Sequence, residues 1–332
     1  MVNRSTLKNL LLCIGFIGNL IAQTYAQSFS GVVLDSKSKQ PLAYVNIGIP
    51  SEGLGIMSDE NGKFTLPLDK EFESDTLRFS LIGYKNLSIP VINYFSKYSS
   101  PNSEILLDVN IYDLSEVTVK PKNIVNDMLG NTITNIGTKD CKAIVGLLDS
   151  IMQKDQEDDI RKHKHKNSRV FAEKHIEVGT IFEIKKRETY IDKVQIQFCE
   201  TNFDSIRLRL NIYSNLSQKI ATGIAKFYMN YTNILKTPIY FTVRKKDSLV
   251  EIDLRQYNIR VEDNFIVTFE TLKSDDNKKI KIPCNASFSG EPAIFHLSNG
   301  TPYIQLPILK LGFNVSISYE KKGNWFTNLF NW

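Results

Sequence analysis

Residues 55–66 read GIMSDENGKFTL. An acidic run, Asp59-Glu60-Asn61-Gly62, precedes Phe64 and Leu66, which alternate with Lys63 and Thr65. A calcium loop of the helix–loop–helix type needs oxygen ligands at alternating positions, a glycine and a distant bidentate glutamate. Asp59, Asn61 and Gly62 supply its opening, but the following residues do not continue it. A turn needs only that Asn61 and Gly62 take a positive φ, which these residue types do cheaply. The stretch therefore reads as a β-hairpin.

Working outward, residues 28–120 are short branched and aromatic runs separated by turn residues. FSGVVLD, LAYVNIGI, KFTLPL, TLRFSLI and EILLDVNI are bounded by Gly, Pro, Asp or Asn, with no amphipathic helix between them. Several such strands at short intervals imply an all-β sandwich or a small barrel.

The order of the motifs is informative. GVVLDSKSKQPLAYVNIGI, GIMSDENGKFTL and LRFSLIGYKNLSI together resemble the carboxypeptidase regulatory-like domain, a transthyretin-like β-sandwich. The residues that carry the resemblance are Gly31, Asp35, Pro41, Leu42, Val45, Ser58, Asp59, Gly62, Phe64, Ser80, Gly83 and Tyr84. In this form the segment is similar to the domain preceding the plug of TonB-dependent outer-membrane receptors, and LSEVTVK (114–120) resembles its exit. The resemblance implies a seven-stranded sandwich over residues 27–120 and an association with outer-membrane uptake.

Upstream, residues 1–26 carry Arg4 and Lys8, an apolar stretch, and Thr24 and Ala26 at the −3 and −1 positions of a cleavage site. This is the pattern of a secretory signal peptide. It predicts export to the periplasm or an outer-membrane-associated location. Leu12 before Cys13 is the wrong residue for lipid attachment. Without Arg4 and Lys8 the formal charge falls from +5 to +3, too little to suggest nucleic acid. Cys141, Cys199 and Cys284 are odd in number and widely spaced, so they imply no disulfide framework; whether two of them pair is left open.

Residues 121–168 read as a linker. NIVNDMLGNTITNIG and CKAIVGLLDSIMQ have apolar residues at three- and four-residue spacings, which predict short helices. KDQEDDIRKHKHK reads as a solvated charged run. From residue 169 to 322 the β pattern returns. In SIRLRLNIY, Ile206, Leu208, Leu210 and Ile212 alternate with Arg207, Arg209 and Asn211. YIDKVQIQF, IYFTV, SLVEIDL, NFIVTFETL, YIQLPIL and FNVSISY add enough strands for a second sandwich. This half resembles the jelly-roll-like segment that follows carboxypeptidase regulatory-like domains in certain Gram-negative envelope proteins, a resemblance with no activity attached.

Catalytic patterns are absent from the sequence. A zinc peptidase needs imidazoles and a carboxylate converging on one metal with an open position. The histidines are His163, His165, His175 and His296, with no H-E-x-x-H; His175 and Glu177 would share a strand face but lack an evident third ligand. No G-x-S-x-G elbow, Walker A motif or dinucleotide fingerprint occurs. SFSGEP (287–292) reads as a turn, and Asp275 and Asp276 as part of a polar loop. No catalytic residue, metal or cofactor is assigned.

Tyr213, Tyr228, Tyr231, Tyr240, Tyr257 and Tyr303 are the aromatic residues available to stack on a sugar or peptide, although core packing claims most rings in a sandwich. At the C-terminus (323–332), Trp325, Phe326, Leu329, Phe330 and Trp332 suit a membrane interface, a partner groove or a tail folded onto the sandwich. The expectation is a non-enzymatic exported envelope protein that binds a protein partner, a glycan or a peptide. The alternatives are an accessory of TonB-dependent uptake and an envelope hydrolase. A full receptor barrel of about 22 strands would use more than roughly 200 residues on crossings before any plug or loops are added, so the chain after residue 120 cannot hold the whole assembly.

Overall fold

The computed structural model describes residues 27–68, 72–93, 103–110, 124–134, 177–185, 188–199, 201–219, 226–272, 280–296 and 303–321. Their regular structure is almost entirely strand, arranged as two sandwiches that each bury their own apolar cluster.

The first sandwich contains β1 (Gln27–Asp35), β2 (Asn46–Ile49), β3 (Leu54–Met57), β4 (Lys63–Leu68), β5 (Thr76–Ser80), β6 (Leu87–Pro90) and β7 (Ser103–Leu107). One sheet runs β4-β1-β7 and the other β3-β2-β5-β6. Alternation along each strand sends Phe29, Val33, Ile47, Phe64, Leu66, Leu77, Phe79 and Ile105 into the shared core. Burying a side chain of this size stabilises by about 1.5–3 kcal/mol. β1 and β7 pair in parallel, and the pairing needs Gly31: a Cβ there would lie 2.4 Å from the Ser103 carbonyl oxygen.

The acidic stretch is a turn, but not the turn of a hairpin. β3 pairs with β2 and β4 pairs with β1, so residues 58–62 carry the chain from one sheet to the other. The Asp59 carboxylate accepts hydrogen bonds from the backbone of Asn61 and Lys63 at 2.9 and 2.8 Å, and Gly62 takes φ 72°. The Ser58 hydroxyl, buried, accepts from the Val45 amide and donates to the Leu42 carbonyl. Those two bonds tie the corner to the chain entering β2, which a simple hairpin would not do.

The second sandwich packs a seven-stranded sheet on a five-stranded one. The larger sheet has the order β12-β19-β18-β9-β16-β11-β13, built from β9 (Glu177–Phe182), β11 (Ser205–Lys219), β12 (Lys226–Asn233), β13 (Ile239–Arg244), β16 (Phe265–Thr271), β18 (Ala293–His296) and β19 (Tyr303–Leu306). The smaller has the order β14-β10-β21-β8, with β15 also on β10; its strands are β8 (Ile124–Gly130), β10 (Thr189–Gln197), β14 (Leu249–Asp253), β15 (Ile259–Val261) and β21 (Phe313–Glu320). A ribbon of β17 (Cys284–Ala286) and β20 (Leu309–Leu311) lies beside them. Between the sheets pack Phe182, Val194, Leu208, Leu210, Phe265, Phe269, Phe295 and Phe313.

Strand β8 departs from the helical spacing of NIVNDMLG. Its residues pair antiparallel with β21 from Ile124 opposite Glu320 to Gly130 opposite Asn314, and Leu129 packs against the core. Branched residues at these spacings satisfy either period, and an available sheet edge decides in favour of the strand. Residues 124–130 thus belong to the second sandwich. The leader expected over residues 1–26, the charged run, CKAIVGLLDSIMQ and the aromatic terminus (323–332) lie outside the described residues.

The sandwiches touch. Ile82 of the first packs against the core cluster of the second, and a Cβ on Gly83 would sit 2.7 Å from the Lys236 carbonyl oxygen. Tyr44 and Met57 from one side join Leu272 and Tyr240 from the other in a small cluster.

Candidate functional site

The seven-stranded sheet has two unlike faces. Leu208, Leu210 and Ile212 of β11 face the core, as their alternation predicts, while Arg209, Asn211 and Tyr213 face away from it. That second face is not a solvated one. Arg209, Asn211, Glu177, Thr268, Glu270, His296 and Gln305 are all buried.

Strand register explains why these groups meet. His296 lies opposite Glu177, Glu177 opposite Glu270, Glu270 opposite Arg209, and Arg209 opposite Tyr240. At the other end Tyr303 stacks 4.6 Å from the His296 ring, and Tyr228 is opposite Tyr303. One line across seven strands therefore carries two carboxylates, a guanidinium, an imidazole and three tyrosines.

Glu177 is the centre of the line. Its Oε2 accepts from Tyr303 and Thr268, both at 2.7 Å, and from Asn211 at 3.2 Å. The Tyr213 hydroxyl is 3.1 Å from both carboxylate oxygens, and His296 Nδ1 is 3.5 Å from Oε1. Burial pushes this carboxyl up, but hydrogen bonding and charge attraction from His296, with donation from Tyr303 and Thr268, hold it below the ordinary carboxylate range. The same geometry acts in reverse on the phenols. Burial and then the Glu177 charge raise Tyr213 and Tyr303 well above a normal tyrosine and bring Tyr231 to about 12. A phenol held protonated in this way is a hydrogen-bond donor and a poor nucleophile.

Glu270 completes the second half of the line. Arg209 Nε donates to its Oε1 at 2.6 Å and Asn211 Nδ2 at 2.8 Å, while Asn233 Nδ2 donates to Asn211 Oδ1. Burial opposes the charge on Arg209, yet the Glu270 carboxylate raises its pKa above the normal guanidinium value. Two further donors of Arg209 cross to the first sandwich: Nη1 to the Tyr44 carbonyl at 2.8 Å and Nη2 to Asn46 Oδ1 at 3.3 Å.

Of the six tyrosines singled out in the sequence, Tyr213, Tyr231 and Tyr303 pack against one another with centroid distances of 4.6–5.4 Å, and the rings of Tyr231 and Tyr303 lie against His296. Tyr240 lies at the opposite end of the line, with the Arg207 guanidinium 4.7 Å over its ring. Tyr257 is half-buried against the core cluster. The backbone of Tyr228 is on the line, but its side chain lies outside the described residues, as do His163, His165, His175, Cys141, Asp275 and Asp276. Cys284 is buried in the core and Cys199 is half-buried. Glu177, Glu270 and Arg209 were not singled out as a group by the sequence reading. Only the polar positions of an alternating strand hint at them, and no local spacing joins β9, β11 and β16.

The first sandwich has a smaller polar pin. Asp35 Oδ1 accepts from the backbone of Lys37 and Ser38, and the Tyr84 hydroxyl reaches Oδ2 at 3.0 Å. The Ser38 amide, and with it Tyr84, lowers the Asp35 carboxyl below its usual value despite desolvation, while burial and this contact raise Tyr84 to about 12.

Among the described residues, no group of three or more His, Cys, Asp or Glu side chains is placed to hold a metal ion. No helix among them is long and apolar enough to cross a membrane. No curated protein matches the sequence. Among solved structures, the crystal structure of the cysteine protease and lectin-like domains of Cwp84, a surface layer associated protein of Clostridium difficile, is similar at TM-score 0.30 and 8% identity. The likeness covers 44% of this chain and 32% of that one. The family comparison agrees with the motifs and the fold of the first sandwich: residues 29–119 match the CarboxypepD_reg-like domain, and the chain carries that domain at its N-terminal end.

Proposed function

We propose that this protein is a non-enzymatic component of the cell envelope, exported by its N-terminal leader, that binds or assembles with an envelope partner through its two sandwiches. The observation that carries the reading is the saturation of the Glu177 cluster. Both carboxylate oxygens of Glu177 already accept hydrogen bonds, and the cluster is built into the sheet by register. A carboxylate acting as base or nucleophile needs a free oxygen aimed at a substrate; this one serves packing.

Recognition then falls to the surface. Ile124 and Met128 point outward from β8, which ends its sheet, and Phe288 stands 98% exposed in the turn before β18. Edge strands and exposed aromatic tips are frequent contact points for protein partners. The first sandwich acts as the adaptor, and the second carries specificity for a protein, glycan or peptide.

Cross-linking of the tagged mature chain in its native envelope, followed by mass spectrometry, tests the reading. Reproducible capture of an envelope protein supports it, and an outer-membrane transporter in that set assigns the role to uptake. Absence of any captured protein or glycan, together with turnover of an envelope polymer by the purified chain, contradicts it.

A further inference from the structure

We infer that Arg209 is a latch: the docking of the CarboxypepD_reg-like domain onto the second sandwich depends on this one side chain, and the two sandwiches separate without unfolding when it is lost. The inference deepens the adaptor reading and rests on it only for the purpose of docking, not for the latch itself.

Three observations converge. First, Arg209 divides its donors between the domains: Nε is committed to Glu270 in its own sheet, while Nη1 and Nη2 reach Tyr44 and Asn46 across the boundary. A buried guanidinium whose outward donors lost these acceptors would bear an uncompensated desolvation cost. Undocking and exposure of Arg209 are therefore one event.

Second, the rest of the contact is small and mixed. Tyr44 and Met57 meet Leu272 and Tyr240, with Ile82 and the Gly83–Lys236 approach beside them. Each sandwich keeps a separate apolar core. Domains whose shared contact is not one large apolar core move relative to one another unless something pins them. Third, the acceptor is strained. Tyr44 is a non-glycine residue at φ 60°, a conformation that persists only where surrounding contacts impose it.

Hydrogen–deuterium exchange on the full mature chain tests the latch, with Arg209→Met and Asn46→Arg as variants. Asn46→Arg sets a second cation against Arg209 from the other domain and leaves the second sandwich untouched. The latch predicts faster exchange in both variants at the facing segments, 43–46 and 236–240, with β1–β4 pairing as protected as in the parent in both and β10–β21 pairing as protected as in the parent in Asn46→Arg. Facing segments as protected as the parent in both variants overturn it. If Arg209→Met also loosens β11 and β16, Asn46→Arg decides alone: faster exchange confined to the facing segments supports the latch, and unchanged exchange overturns it. Neither outcome depends on whether an envelope partner is captured.

Discussion

The two sandwiches keep their polar chemistry in different places. In the first it sits in turns: Asp35 and Asp59 bond backbone groups of the chain bends they occupy, Ser58 ties its bend to the chain entering β2, and Tyr84 joins Asp35 from outside. In the second it sits in strand interiors, where His296, Glu177, Glu270 and Arg209 come from four strands and touch only because register aligns them. Turn chemistry fixes how a chain reverses, and a cross-strand line fixes how strands slide. The first kind of residue specifies topology; the second specifies register and, through Arg209, the neighbouring domain.

The largest test of that contrast is Arg209→Met. Removing one partner of a buried ion pair costs about 3–5 kcal/mol, so denaturant unfolding of the second sandwich should shift by that order. Adding Glu270→Leu should recover most of it, because two apolar groups of similar volume leave no stranded charge. A double variant as unstable as the single one would mean that Glu270 serves Asn211 rather than Arg209.

Acid separates the halves next. Glu177 is held below its usual pKa in the folded protein, so its stabilising contribution is complete above the ordinary glutamate value. It is lost as pH falls through the lowered native one. Unfolding followed from pH 7 to below about pH 4 should show the second sandwich weakening, and Glu177→Gln should flatten that dependence. An unchanged acid limb in Glu177→Gln would assign it to other carboxylates.

Gly62→Ala probes the turn chemistry. Its φ of 72° costs a side-chain-bearing residue about 1–2 kcal/mol, and the added Cβ would lie 2.6 Å from the Val33 carbonyl oxygen. Loss of stability should be confined to the first sandwich, read by exchange protection of β1 and β4. The smallest effect belongs to Tyr84→Phe, which removes one donor from Asp35. An NMR titration should find the Asp35 carboxyl moving back toward its ordinary value while remaining below it, because the Ser38 amide stays in place.

This contrast also explains what could be read before the structure. The CarboxypepD_reg-like domain was legible because Asp35, Ser58, Asp59, Gly62 and Tyr84 are motif residues at chain bends, and bends write themselves into short stretches of sequence. Even there the destination of the turn was not legible. GIMSDENGKFTL contains the bend but not the sheet that Lys63–Leu68 joins, which depends on pairing with β1. The polar line of the second sandwich was less visible still. SIRLRLNIY shows that Arg209 and Asn211 share a face, but Glu177 is 32 residues before Arg209 and Glu270 is 61 after it. The residues of NIVNDMLG fit a helix or a strand equally, and the free edge of β21 decides between them.

The most direct test of the account is the capture profile of Glu177→Gln beside that of the parent chain, with thermal stability measured on both. If the buried line is architecture and recognition lies on the surface, the variant melts lower and captures the same envelope partners. Capture lost at unchanged stability would contradict the account, because it would make Glu177 part of the binding or reacting surface itself.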